Sequence, residues 1–301
     1  MLSEILRGFP KGSWAHWVAS DEGHGAKETR EFLDTCFLGL PAPKRSLVLA
    51  KIRNERDAAN IDALIHEIVT NELLHRFKLT PDFDPTVGKL TPDIAVDIAD
   101  QRFILDVFVT HSPCRTVTYH GDGTGKAYDK GERAKKIGDT ITAKATKYAK
   151  TNLPLVLFVY LGDHFILSEN DIEKALFGLT IGEIAPGERF QDTFAAREFG
   201  GVFLSNADDG SLPRHRNLSA VVACDWFDTL NGKRLRCLVL HHYSPDVPLP
   251  SGVFGPFQEV IWQPRGPTHW DPEMTGQANV VARFAAASQL EFGSYTPDAP
   301  W

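Results

Sequence analysis

Cysteine is scarce. The 301 residues hold four, Cys36, Cys114, Cys224 and Cys237, with no CxxC pair among them. That spacing argues against a structural zinc site and a disulfide framework, and it fits a reducing cytoplasm. Long apolar runs are missing too. The longest, residues 153–161, spans nine residues and contains Pro154, whereas a membrane span needs about 20. The first twenty residues carry Glu4, Arg7 and Lys11 and no continuous apolar stretch, so no signal peptide is expected. Nor is there an excess of positive charge. The 32 Lys and Arg against 39 Asp and Glu give −7, which excludes a generally polybasic nucleic-acid binder but not a local basic patch. Internal repeats and long low-complexity linkers are absent.

What remains has ordinary globular composition, with 43% apolar and 24% charged residues. The length suits one large domain or two small ones. Residues 1–55 read as an N-terminal helical extension, with Trp14 and Trp17 as anchors and a helix near 44–57 that buries Leu47, Leu49 and Ile52. Residues 56–180 read as a core. Residues 181–301 read as a β-rich portion packed on that core, ending in a tail beyond Trp270 that docks poorly or not at all.

The clearest helix covers about 58–77. Ile61, Leu64, Ile65 and Ile68 recur at helical spacing, and Leu73, Leu74 and Phe77 cover other sides, so more than one face is buried. Pro81 and a turn-rich stretch follow. Residues 93–98 alternate as a strand, with Ile94, Val96 and Ile98 on one face. A turn at 99–101 leads to a strand over 102–110, where Leu105, Val107 and Val109 face one way and Asp106, Phe108 and Thr110 the other. A polar, glycine-bearing loop (111–129) precedes a basic helix at 131–150. The apolar run 153–160 reads as a central strand covered on both faces. A helix at 171–177 and strands at 201–204, 219–226, 235–242 and 258–262 complete a mixed α/β sheet flanked by helices.

Three motifs carry no chemistry. His66-Glu67-Ile68-Val69-Thr70 lacks the second histidine of the HExxH zinc motif, and residues 121–126 lack the spacing of a phosphate loop. His241 and His242 sit on a strand, point to opposite faces and cannot share a metal. The informative constellation is Pro92-Asp93 at the start of one strand and Asp106 in the middle of the next. A charge in an apolar strand is costly without a partner. Neighbouring antiparallel strands can bring both carboxylates to one point, a site for a hard cation such as Mg²⁺ or Mn²⁺. The plain alternative is that Asp106 is an edge charge or a salt-bridge partner.

This order of elements resembles the restriction-endonuclease-like PD-(D/E)xK nuclease superfamily. Pro92-Asp93 and Asp106 match its first two motif elements, while Phe108 stands at the usual lysine position. Some members carry that lysine on the following helix, and Ile141-Thr142-Ala143-Lys144-Ala145-Thr146-Lys147-Tyr148 is similar to that variant. The stretches 152–159, 171–178, 218–222 and 242–249 extend the resemblance over residues 58–249. It implies a restriction-endonuclease-like core and places the helix acid at Glu67. Periodicity instead favours Glu72, so both stay open. On the basic helix, Ile137, Ile141, Ala145 and Tyr148 form the apolar stripe. Lys144 lies at its edge, about 60° from Ile141, and Lys147 about 120° from it. Lys144 is thus favoured at the carboxylates and Lys147 as a phosphate contact.

The expected chemistry is Mg²⁺-dependent (or Mn²⁺-dependent) phosphodiester hydrolysis. Asp93, Asp106 and the Val107 carbonyl would hold the metal, Glu67 would assist directly or through water, and Lys144 would act electrostatically. Residues 126–150 hold eight basic and three acidic side chains. That +5 leaves −12 on the rest of the chain, and it is the footprint of a nucleic-acid backbone. Lys126, Lys130, Arg133, Lys135, Lys136 and Lys147 are the candidate contacts, with Arg214 and Arg216 from a later loop. DNA is the expected substrate, with bacterial defence or DNA processing as the setting and a homo-oligomer or a partner protein of a defence system as further expectations. The rival readings are an inactive nuclease-fold module that binds nucleic acid or protein, and an RNA-directed or toxin-like nuclease.

Overall fold

The computed structural model describes residues 2–8, 14–20, 24–55, 57–110, 115–119, 123–127, 130–161, 170–177, 180–182, 194–197, 201–203, 213–229, 232–255, 257–264, 270–275 and 289–291. The chain opens with helices α1 (Leu2–Leu6), α2 (Trp14–Ser20), α3 (His24–Gly39), α4 (Ala42–Asn54) and α5 (Ala58–Arg76). Strands β1 (Pro81–Phe83), β2 (Ile94–Ile98) and β3 (Gln101–Thr110) follow, then the hairpin β4 (Arg115–Tyr119) and β5 (Gly123–Ala127). After α6 (Lys130–Tyr148) come β6 (Leu155–Leu161), α7 (Asn170–Phe177), β7 (Thr180–Gly182) and β8 (Phe194–Arg197). The remaining strands are β9 (Leu218–Thr229), β10 (Gly232–His241), β11 (Gln258–Pro264), β12 (Trp270–Thr275) and β13 (Gln289–Glu291).

The main sheet has nine strands in the order β1-β2-β3-β6-β9-β10-β11-β12, with β13 also on β10. The pairs β3/β6, β6/β9 and β10/β11 are parallel and the others antiparallel, so this is a mixed α/β sheet flanked by helices. Two crossovers, through α6 and α7, join β3 to β6 and β6 to β9, as parallel pairing requires. Both helices bury Ile137, Ile141, Ala145, Tyr148, Ile172 and Leu176 against one face of the sheet. Helices α1 to α5 cover the other face. There Leu6, Val18, Phe32, Leu33, Phe37, Val48 and Ile52 share one apolar cluster with α5 and with Leu105, Phe158 and Val239. β6 is buried at every position, which explains its unbroken apolar text.

Local chemistry sets the element ends. Asp57 caps α5, its side chain accepting from the Ala59 N–H at 2.9 Å. The β2–β3 hairpin turns at Ala99 and Asp100, both with positive φ (47° and 64°), as a right-twisted two-residue hairpin turn demands. After α6 a 3-10 turn (Ala149–Thr151) ends at Asn152, which takes the left-handed conformation before Pro154.

Four expectations need correcting. Leu47 is 39% exposed, and Val48 and Ile52 are the buried residues of α4; the apolar run there did not reveal which residue turns outward. The polar stretch 111–129 holds the β4–β5 hairpin, whose strands read as loop because Gly, Thr and Lys dominate them. Residues 201–203 form a turn bonded to the end of α7, with the Val202 and Phe203 N–H groups donating to the Ala175 and Leu176 carbonyls. Two apolar residues that cap a helix look like a strand in the sequence. The segment after Trp270 adds β12 and β13 to the sheet. The side chains of Trp14 and Trp17 lie outside the described residues.

Candidate active site

The site forms where β2 stops short beside β3. The ladder runs from Ile98↔Gln101 to Ile94↔Leu105. One step further Asp93 faces Asp106, and two steps further Pro92 faces Val107. Pro92 has no N–H to give the Val107 carbonyl, so the ladder cannot continue. The Asp93 carboxylate takes over, accepting from the Val107 N–H at 2.6 Å. In a strand the N–H and C=O of one residue point to the same side. The Val107 carbonyl therefore faces the opening past the end of β2. Asp93 and Asp106 fall on a position where cross-strand side chains come closest, and both lie on the α6 face of the sheet.

Helix α6 brings the cations. The Lys144 ammonium lies 3.0 Å from Asp106 Oδ2, and Lys147 lies 3.9 Å from the same oxygen. The Asp106 side chain is 3% exposed, Lys144 22% and Lys147 46%. Lys144 approaches off the hydrogen-bonding direction, so Oδ2 is a buried carboxylate oxygen with ion pairs but no aligned hydrogen bond. Phe108, two residues along the strand, places its ring 5.5 Å beneath the Lys144 ammonium. The helix lysine thus overhangs the position where a strand lysine would have pointed. Lys147 was expected to reach outward. It folds back instead, donating to the Tyr148 hydroxyl at 2.8 Å and sitting 4.5 Å over that ring.

The electrostatics follow from this crowding. Burial pushes the Asp93 carboxyl up, and the hydrogen bond with Asp106 and the charges of Glu67 and Asp106 push it further, against the pull of the Val107 N–H. Burial alone would raise Asp106 as well. The hydrogen bond from Asp93 and the ammonium groups of Lys144 and Lys147 outweigh it and hold Asp106 below the usual carboxylate range. The pair therefore shares one proton, resident on Asp93, as two converging carboxylates do. Tyr148 is driven upward by burial and then by the Asp106 charge, so its phenol stays protonated beside the pair.

Glu67 enters from the other layer. Burial pushes it up to about 7; Lys51 pulls it down, and Asp106 and Asp84 push it up. Glu72 faces elsewhere, paired with Arg76 at 3.0 Å. Of the two glutamates, Glu67 is the one that α5 turns toward the carboxylates. Among the described residues no group of three or more His, Cys, Asp or Glu side chains is arranged to hold a metal. Glu67 is therefore not grouped with Asp93 and Asp106 as a third carboxylate of one cluster. Two carboxylates and one carbonyl still suit Mg²⁺, which keeps several waters and takes one or two carboxylates. The buried Asp106 oxygen without an aligned donor is the local feature that fits a cation.

Of the proposed backbone contacts, Lys135 and Lys136 are exposed on α6. The side chains of Lys126, Lys130 and Arg133 lie outside the described residues. Arg214 is exposed, whereas Arg216 is engaged with Asp246 at 3.0 Å and the Ser244 carbonyl at 3.3 Å, so its fork is already used. His241 pairs with Glu259, and His242 with the Arg214 carbonyl.

Sequence reasoning missed Tyr148, Lys51 and Asp84. Tyr148 was legible only as the apolar stripe its ring belongs to. Lys51 and Asp84 carried no signal, since they meet the site through tertiary packing. No protein-family model matches the chain, and no curated protein matches it. Among the described residues no helix is long and apolar enough to cross a membrane.

Proposed function

We propose that this protein is a metal-dependent nuclease of the restriction-endonuclease-like kind, hydrolysing phosphodiester bonds of DNA in the cytoplasm. The observation that carries the proposal is the buried Asp106 oxygen, set opposite Asp93 at the end of a strand, with Lys144 at 3.0 Å and no aligned hydrogen bond. A salt-bridge partner alone would not need a second carboxylate beside it, raised by burial and like charge.

Asp93, Asp106 and the Val107 carbonyl would hold Mg²⁺ or Mn²⁺. The ion would polarise the phosphate and supply an activated water. The chain's own groups do the rest. With a cation held there, Asp93 would serve as an ionised ligand, its proton passing to solvent, because the positive charge would offset the burial and like charge that raise it. Lys144 is released from Asp106 toward a non-bridging phosphate oxygen and stabilises the charge that develops there. Glu67, close to neutral pH in its titration, positions a water and can accept its proton. Lys135 and Lys136, exposed on α6, supply phosphate contacts along that helix. A role in genome defence or DNA processing, alone or with a partner protein, is part of this proposal.

The test is cleavage of plasmid, single-stranded DNA and RNA with and without Mg²⁺ or Mn²⁺. Cleavage of DNA that requires the metal and disappears in Asp93→Ala and Asp106→Ala is the expected result. Cleavage that survives both substitutions, or RNA cut in preference to DNA, refutes the assignment. Salt-dependent DNA binding without any cleavage favours an inactive binding module.

A further inference from the structure

The second basic helix lies in the N-terminal segment. α4 carries Lys44, Arg45, Lys51 and Arg53 and no acidic residue. Lys44 and Lys51 are seven residues apart, two turns less about 20°, so they share one side of the helix. Both reach Asp84: the Lys51 ammonium lies 3.1 Å from its carboxylate, and Lys44 donates to its carbonyl at 3.2 Å. Asp84 adopts a left-handed φ of 53° and donates its N–H to the Asp93 carbonyl at 2.7 Å. The lysine side of α4 is thus pinned next to the strand that delivers Asp93. Lys51 is also the largest charge pulling on Glu67.

α4 and α6 belong to opposite layers. α4 packs with the cluster on the α5 face through Val48 and Ile52, while α6 packs on the other face. The carboxylates lie on the α6 face at the end of β2, and Asp84 lies beside that end on the β1 side. From one side come Lys144 and Lys147, from the other Lys44 and Lys51. Arg45 spends its donors on the Leu38 and Leu40 carbonyls, contacts that leave its charge uncompensated.

We infer that α4 is the second rail of a nucleic-acid channel, gripping the phosphate backbone on the side of the carboxylate site opposite α6. The inference rests on the nuclease reading and adds to it a substrate-binding role for residues 42–54. Asp84 lies among these cations. It serves as a hinge pin for Lys44 and Lys51, and it lowers the net attraction of the rail by one charge.

The experiment uses the full chain, silenced by Asp106→Asn, with a fluorescent duplex of about two helical turns. Anisotropy titrations at several salt concentrations give the slope of log affinity against log salt. Each lost phosphate contact lowers that slope by about 0.9 on duplex and about 0.7 on a single strand. The double variant Lys44→Gln/Lys51→Gln is expected to lower it by about 2 on duplex and to weaken binding at 0.1 M salt by between about tenfold and about a hundredfold. Lys135→Gln/Lys136→Gln should do the same from the other rail. Asp84→Asn breaks the clamp but keeps both cations, and binding should hold or tighten. An unchanged slope in the α4 double variant overturns the inference and leaves the nuclease proposal standing. So does a loss of binding in Asp84→Asn equal to that of the lysine variant, since the lysines would then act only as a clamp. A silenced protein that binds no DNA, together with a wild type that cuts none, removes the nuclease reading and this inference with it.

Discussion

Asp93→Asn should make the protein more stable and inactive. In the fold Asp93 holds its proton because burial, Asp106 and Glu67 all oppose its charge. Asn at this position reproduces the protonated acid: its carbonyl can accept from the Val107 N–H, as Asp93 does at 2.6 Å, and its amide can donate to Asp106. The unfolded chain ionises an ordinary Asp near pH 3.9. A carboxyl whose folded pKa is raised binds more protons folded than unfolded, so stability falls as pH climbs from about 4 toward the folded pKa. Each unit in that window costs up to about 1.4 kcal/mol, which puts a ceiling near 4 kcal/mol at pH 7. Asp93 is half-buried, and solvent screening halves the figure to about 2 kcal/mol. For 301 residues, at roughly 2.1 cal/mol/K per residue, that is a rise in Tm of about 3 °C. The assay is thermal unfolding of both proteins at pH 4.5, 6 and 8, with and without 10 mM Mg²⁺. The gain should be small at pH 4.5 and grow with pH. Mg²⁺ should raise the Tm of the wild type and not that of the variant. A variant less stable than wild type at pH 8, or a gain that does not change with pH, would refute the shared-proton account.

Two further substitutions probe the α6 side. Lys144→Met removes the ammonium at 3.0 Å and leaves Asp106 with Lys147 alone; we expect a cost of about 1–3 kcal/mol at pH 7.5 in chemical denaturation and a fall in DNA cleavage of about a hundredfold or more. Denaturation that matches wild type would mean that the ion pair carries no net stability. Tyr148→Phe keeps the buried ring and deletes the hydroxyl that receives Lys147 at 2.8 Å. It should leave Tm within about 2 °C yet weaken Mn²⁺ affinity measured by electron paramagnetic resonance and slow cleavage by roughly tenfold; equal Mn²⁺ affinity in the two proteins would remove Tyr148 from the site.

Much of the sheet was legible because its faces are chemically unlike. The alternation of Ile94, Val96 and Ile98, the split of Leu105 and Val107 from Asp106, and the unbroken apolar run of β6 each follow from what their faces touch. The pairing of Asp93 with Asp106 could be anticipated because one tight turn at Ala99 and Asp100 sets the register of the whole hairpin. Periodicity reports whether a side chain faces in or out and says nothing about which layer comes to meet it. For that reason Glu67 and Glu72 could not be separated on a helix buried nearly all round, and Lys51 was invisible. Tyr148 shows a second limit: an amphipathic side chain counts once in a hydrophobic pattern, though its ring and its hydroxyl serve different places.

The way the N-terminal helices share one core with distant strands has a consequence for how the protein is made. Phe32, Leu33 and Phe37 of α3 rest on a layer that includes β10, about 200 residues further along the chain. At a synthesis rate of about 5–20 residues per second, α3 leaves the ribosome roughly 10 to 40 s before β10 exists. Through that interval its apolar side stands uncovered by its final neighbour, and the long sequence separation makes closure slow as well. The nascent chain therefore passes through a window in which chaperone binding competes with self-association, and yield on expression should depend on chaperone supply more than the stability of the finished fold would suggest.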